Sequence, residues 1–120
     1  MRLCYVAGHY TGVTPWDVEQ HVRRAEEAGL EIAHRGVMPV IPHTNCRFFH
    51  NQCSASFWYE GTMKLLEAVH LTQGGIFMLN GWQDSIGAMK EHSFATSVNM
   101  PVFFENDLAE LELWGRNGSV

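Results

Sequence analysis

Four short stretches of this chain are apolar almost throughout rather than at alternate positions. They read "LCYVAG" from Leu3, "VMPVIP" from Val37, "IFMLNG" from Ile76 and "PVFF" from Pro101. A strand with one wet face alternates polar and apolar residues, whereas a strand covered on both faces does not. Between these stretches lie segments whose apolar residues recur at helical spacing. Strands that alternate with helices and are apolar throughout form a parallel sheet with helices on both sides. Right-handed crossovers then predict strand order 2-1-3-4.

The clearest helix is "TPWDVEQHVRRAEEAGLEIAHRG". Val18, Val22, Ala25, Gly29 and Ile32 make one apolar stripe. Thr14 is placed to cap it, Pro15 suits its first position, and Asp17 completes a capping-box spacing. Gly36 is placed to end it. Pro39 weakens a central position for strand 2. Residues 43–56 read as irregular or weakly helical. "FWYEGTMKLLEAVHLTQGG" is the second long helix, with Met63, Leu66 and Val69 or His70 turned to the core and Gly74-Gly75 as its stop. "DSIGAMKEHSFATSV" is the third, and "DLAELELW" a short closing helix. The class expected is α/β, a three-layer sandwich of the flavodoxin or Rossmann-like kind. Residues 1–120 suffice for one such core but not two, so a single domain is expected.

Composition removes several function classes. A formal charge of -5 opposes binding to a nucleic-acid polymer, which calls for a basic surface. The seven histidines offset part of that charge only at mildly acidic pH. No apolar run is long enough to span a bilayer, so no membrane partner is expected. "MRLCYVAG" has too few apolar residues for a signal peptide. Three cysteines, an odd count, suggest reduced thiols and a cytoplasmic location.

In open parallel sheets, ligands bind beyond the carboxyl ends of the strands where the strand order reverses. Here that crevice is lined by "AGHYTG" after strand 1 and "NGWQDS" after strand 3. In the helix that follows, Gly87 and Ala88 lie four and three residues before Glu91 and share its face. Helical side chains lean toward the amino end, so the Glu91 carboxylate projects over a turn cleared of bulk. Ser85 adds a hydroxyl beside the unpaired N–H groups of a helix start, a setting that holds phosphates or carboxylates. Gly8 and Gly12 permit close backbone approach to the same anion. The plainer alternative is that Asp84 or Ser85 is simply an N-cap and Glu91 a solvated helix residue.

The series "YVAG…TG", "AEEAGLEIAHRGVMPVIPH" and "IFMLNGWQDSIGAMKEHSFATSVNMPVF" resembles the nucleoside 2-deoxyribosyltransferase-like superfamily. Nearest in pattern are its small uncharacterised bacterial and phage family and its 2'-deoxynucleoside 5'-phosphate N-hydrolases. The likeness covers nearly the whole chain except residues 43–58, and its most specific piece is Ser85-x-Gly87-x3-Glu91 after a "GW" loop. It implies that Glu91 attacks the anomeric carbon of the sugar and that Tyr5 holds that carboxylate and the sugar in place. It also implies that Ser85, Gly8 and, less directly, His9 and Gly12 hold a 5'-phosphate. Such a carboxylate must be ionised, which the positive end of a helix favours. No cofactor is implied, and a homodimer or larger homo-oligomer is. The chain departs from the pattern at two points. The helix before strand 3 has no aspartate, with Glu60 and Glu67 nearby but unaligned, and Gly74 stands where another aspartate is usual.

A rival motif precedes that helix. "HTNCRFFHNQC" reads as His43-x2-Cys46-x3-His50-x2-Cys53, all good zinc ligands. All four lie within eleven residues, and on a helix the ends would stand about 15 Å apart, too far to share one ion. No metal is therefore expected, and His43 and Cys53 are read as residues lining the crevice. Phe48, Phe49, Phe57, Trp58 and Tyr59 cluster in sequence and are expected in the core or a subunit interface. Trp82 or Phe57 is a candidate to stack on a base. The leading expectation is N-glycosidic cleavage or transfer on a nucleoside or its 5'-monophosphate. The alternatives are a non-catalytic nucleotide-binding or sensing protein, and a zinc-stabilised interaction module.

Overall fold

The computed structural model describes residues 1–49 and 52–117. The strands are β1 (Leu3–Ala7), β2 (Met38–Val40), β3 (Gly75–Met78) and β4 (Val102–Phe104). The helices are α1 (Pro15–His34), α2 (Pro42–Asn45), α3 (Ala55–Leu71), α4 (Ile86–Ser97) and α5 (Leu108–Asn117), with a 3₁₀ turn at Trp82–Asp84. The sheet order is β2-β1-β3-β4 and every pair is parallel. The α/β class and the strand order are those the apolar runs predict. Pro39 sits opposite Cys4 on the edge strand β2, where a missing N–H is tolerated.

The alternating side chains of β1 divide the core into two layers. Cys4 and Val6 pack with Ala25, Ala28, Ile32 and Leu111, on the side of α1 and α5. Tyr5 and Ala7 pack with Leu66, Val69, Ala88 and Ala95, on the side of α3 and α4. Each fully buried aliphatic side chain contributes about 1.5–3 kcal/mol. The period-two geometry of a strand therefore sends Tyr5 toward α4 and Cys4 away from it.

Local signals act as expected in α1. The Thr14 side chain accepts from Asp17 N at 3.2 Å, and Asp17 accepts from Thr14 N at 3.0 Å. Gly36 follows the helix with φ of +83°. The stop of α3 differs from the reading of Gly74-Gly75. Gln73 takes the left-handed conformation, with φ of +63°. Gly74 is required for another reason: a Cβ there would lie 2.6 Å from the Leu3 carbonyl oxygen and 2.8 Å from that of Val69. The close approach of the α3 end to β1, not helix termination, excludes a side chain.

Candidate functional site

The carboxyl ends of β1 and β3 open onto a cleft of about 300 Å³. Its floor is Tyr5, Gly8, Ser85, Gly87, Ala88 and Glu91, and its wall includes Tyr10, His43, Cys46, Phe49, Trp58 and Tyr59. Its volume stands at the small end of the range for ligand pockets, roughly 300–1,000 Å³. Ser85 caps α4 by accepting from Ala88 N at 3.2 Å, and it lines the cleft as well. From that start, Gly87, Ala88 and Glu91 fall on one helical face. A Cβ built on Gly87 meets nothing within 4 Å, so the space below Glu91 is open.

Tyr5 is fully buried on β1, and its hydroxyl donates to Glu91 Oε2 on α4. Glu91 is itself only 7% exposed. Burial pushes its carboxyl up from 4.5 to about 7, and the Tyr5 hydrogen bond only partly opposes this. Burial, with the adjacent Glu91 charge, also holds the Tyr5 phenol well above its ordinary value. The helix start was expected to favour the ionised form. Glu91 lies beyond the first turn from the Ser85 cap, however, where the dipole has faded and desolvation wins. Burial, not the helix start, therefore governs the Glu91 carboxyl.

The other sequence-predicted residues divide. His43 lines the cleft and is 4% exposed. Its Nε2 lies 2.9 Å from the His9 carbonyl oxygen, so that nitrogen carries the proton and donates. Burial lowers its pKa against the pull of the His9 and Gly8 carbonyls, which keeps the ring neutral. Gly8 lines the cleft, and a Cβ there would meet Leu79 at 2.7 Å.

His9, Gly12 and Trp82 are not among the lining residues. The His9 ring turns to the Gly81 carbonyl at 3.0 Å. Gly12 makes room for Asp17 of the α1 cap and borders a separate hollow beside Phe48. Trp82 stacks on His92 with ring centroids 4.3 Å apart and packs against the α3/α4 core. Phe57 is also turned out, while its neighbour Trp58 lines the cleft and stacks on Phe49 at 5.8 Å.

Glu60 and Glu67 are exposed and are not among the residues lining the cleft. Thr62 and Tyr59 are the cleft residues from that helix. Tyr10 and Thr11 belong to the first loop expected to line the crevice; Thr62 and Ala55 were not anticipated there, and Trp58 and Tyr59 were expected in the core or a subunit interface. A signal existed: Ala55, Trp58, Tyr59 and Thr62 follow the i, i+3, i+4, i+7 spacing of one helical face. Tyr10 lies in the loop after β1 that the strand order already places at the crevice. Its place depends on a hydrogen bond of 2.7 Å to the Cys46 carbonyl, which ties the first loop to the α2 end.

Of the zinc-like motif, His43, Cys46 and Cys53 line the cleft, and His50 lies outside the described residues. Among the described residues no three His, Cys, Asp or Glu side chains converge to hold a metal ion. Nor, among them, is any helix long and apolar enough to cross a membrane.

A family model described as "Domain of unknown function (DUF4406)" matches residues 2–104, a span that contains every strand and the helix carrying Glu91. No curated protein matches the chain.

Proposed function

We propose that this chain, which belongs to the DUF4406 family, cleaves or transfers the N-glycosidic bond of a nucleoside or nucleoside 5'-monophosphate. One observation carries the reading. A buried carboxyl, held by a buried tyrosine, faces a cleft whose floor is open at Gly87. Likeness to the nucleoside 2-deoxyribosyltransferase-like superfamily supports the same assignment.

The sugar lies over Gly87 and Ala88, and the base rests against the aromatic wall of Tyr10, Phe49 and Trp58. Ionised Glu91 attacks the anomeric carbon as the bond to the base breaks, giving a glycosyl-enzyme and a base that takes a proton from solvent as it leaves. Water or a second base then attacks the same carbon, breaks the ester bond to Glu91 and gives up its proton to solvent, which regenerates the carboxylate. Tyr5 fixes the attacking oxygen and, through its hydrogen bond, favours the ionised form against burial. Exclusion of water by the aromatic wall strengthens the attraction between that carboxylate and the positive charge developing on the sugar. A homo-oligomer is part of the same proposal. Ile86 and Met89, exposed beside the cleft on α4, offer an apolar surface for it. Sedimentation as a monomer at working concentration would remove that element.

The decisive experiment measures free-base release from a panel of nucleosides and their monophosphates. Turnover by the wild type and none by Glu91→Gln is the expected result; no turnover on any member, or equal turnover by the variant, refutes the proposal. A second reading, a nucleotide-binding or sensing protein, is favoured by one fact. Among the described residues lining the cleft, Glu91 is the sole carboxylate, so no partner acid is at hand to protonate the departing base. Thermal stabilisation by a member of the panel without product would support that reading.

A further inference from the structure

We infer that His21, which lies on α1 and off the cleft, is a positioning residue: it fixes Tyr10, and through Tyr10 the width of the slot that takes a flat heterocycle. The inference rests on the glycosidic reading for the kind of ligand, but it does not require bond cleavage.

Tyr10 needs an anchor because open volume flanks it on two sides. It lines the cleft, and it also lines a hollow of about 200 Å³ beside Phe48. A ring placed in this way is not held by packing alone, since close contact on both faces is what fixes a side chain. The main chain does not hold it either. Among the described residues, residues 9–13 make no backbone–backbone hydrogen bond.

Imidazoles take the carbonyls of this loop instead. His21 Nδ1 lies 3.2 Å from the Tyr10 carbonyl oxygen, and His43 Nε2 lies 2.9 Å from that of His9. A carbonyl can only accept, so each of these nitrogens carries its ring's proton. The His9 ring, 5.4 Å from that of His21, reaches the Gly81 carbonyl at 3.0 Å and ties this loop to the one before α4. At its far end Tyr10 donates its hydroxyl to the Cys46 carbonyl at 2.7 Å, and the His43 ring meets the Tyr10 ring edge-on at 5.9 Å. Tyr10 is thus restrained at its carbonyl, at its hydroxyl and along its ring. Of the three anchors, Cys46 and His43 line the cleft and His21 does not. The His21 bond can therefore be removed without altering a surface that the ligand touches. Its loss frees Tyr10 to swing toward the hollow and takes one side from the aromatic wall.

The test uses the four DNA nucleobases, which contain no bond to cleave, and their deoxynucleosides, on the wild type, His21→Ala and His21→Asn. Calorimetry gives Kd for the bases, and initial rates give KM and kcat for the nucleosides. His21→Ala should raise Kd and KM about fivefold, the worth of one ordinary hydrogen bond. Its kcat should stay unchanged, because a wall that holds the base serves ground and transition states alike. Asparagine sets an amide N–H where Nδ1–H stood and should restore both values. Alanine is a better helix former than histidine or asparagine, so weaker binding with an unchanged circular dichroism spectrum is not a loss of α1. Side-chain nitrogen NMR of the wild type should find the His21 proton on Nδ1. A His21→Ala variant that binds like the wild type overturns the inference. So does failure of asparagine to restore binding, a fall in kcat at unchanged KM, or a proton on His21 Nε2. Base binding that follows the predicted order without turnover of any nucleoside overturns the glycosidic reading and leaves this inference standing. Neither binding nor turnover of any member overturns both.

Discussion

Replacing Glu91 by glutamine should stabilise the protein above neutral pH while abolishing the proposed activity. In the folded chain the Glu91 carboxyl is pushed up from 4.5 to about 7 because it is buried. The folded state thus binds a proton more tightly than the unfolded state. Stability tied to this group is fully present below about pH 4.5 and is lost as pH rises through about 7. A rise of that size corresponds to about 3 kcal/mol withdrawn once the carboxyl is ionised. Glutamine has nearly the same shape, keeps an oxygen to accept from Tyr5, and does not titrate. Urea unfolding of both proteins at pH 5 and pH 8 isolates the effect, since every other titrating group is common to the two. The variant should gain about 2.5 kcal/mol over the wild type on going from pH 5 to pH 8, because part of the effect is already lost at pH 5. Parallel stability profiles would refute the claim that the carboxyl is desolvated in the fold.

The same titration predicts that kcat/KM for base release rises with pH through about 7 as Glu91 ionises. In Tyr5→Phe that limb should move to higher pH, because the lost hydrogen bond favoured the ionised form; an unmoved limb would contradict the pairing. Gly87→Val should melt within about 0.5 kcal/mol of the wild type, since its Cβ meets open space, yet lose ligand-induced thermal stabilisation. Retained ligand binding would mean the floor is not where the sugar sits. Gly74→Ala should behave oppositely and lose about 1–3 kcal/mol in urea unfolding, because its Cβ would collide with the Leu3 and Val69 carbonyls. An unchanged midpoint would show that the α3–β1 approach relaxes easily.

Much of the fold and of the cleft is legible in the sequence. Runs such as Ile76–Leu79 have no polar side to offer water, which forces a sheet covered on both faces and leaves few orders for its strands. Capping chemistry at Thr14 and Asp17 is equally local, because both partners lie within four residues. The grouping of Gly87, Ala88 and Glu91 follows from helical spacing alone. Such features are decided by neighbours in the chain, so a linear reading captures them.

Tertiary packing decided the rest. Tyr5 meets Glu91 across 86 residues, and the burial that raises the carboxyl's pKa comes from the whole α3/α4 layer. Trp82 turned to His92, while Trp58, expected in the core or a subunit interface, came to line the cleft. Identical side chains become wall, prop or surface according to which helix packs opposite them. Sequence spacing determined which residues share a face of one element. What that face meets, and therefore how dry and how charged the site is, depends on the three-dimensional arrangement of elements far apart in the chain.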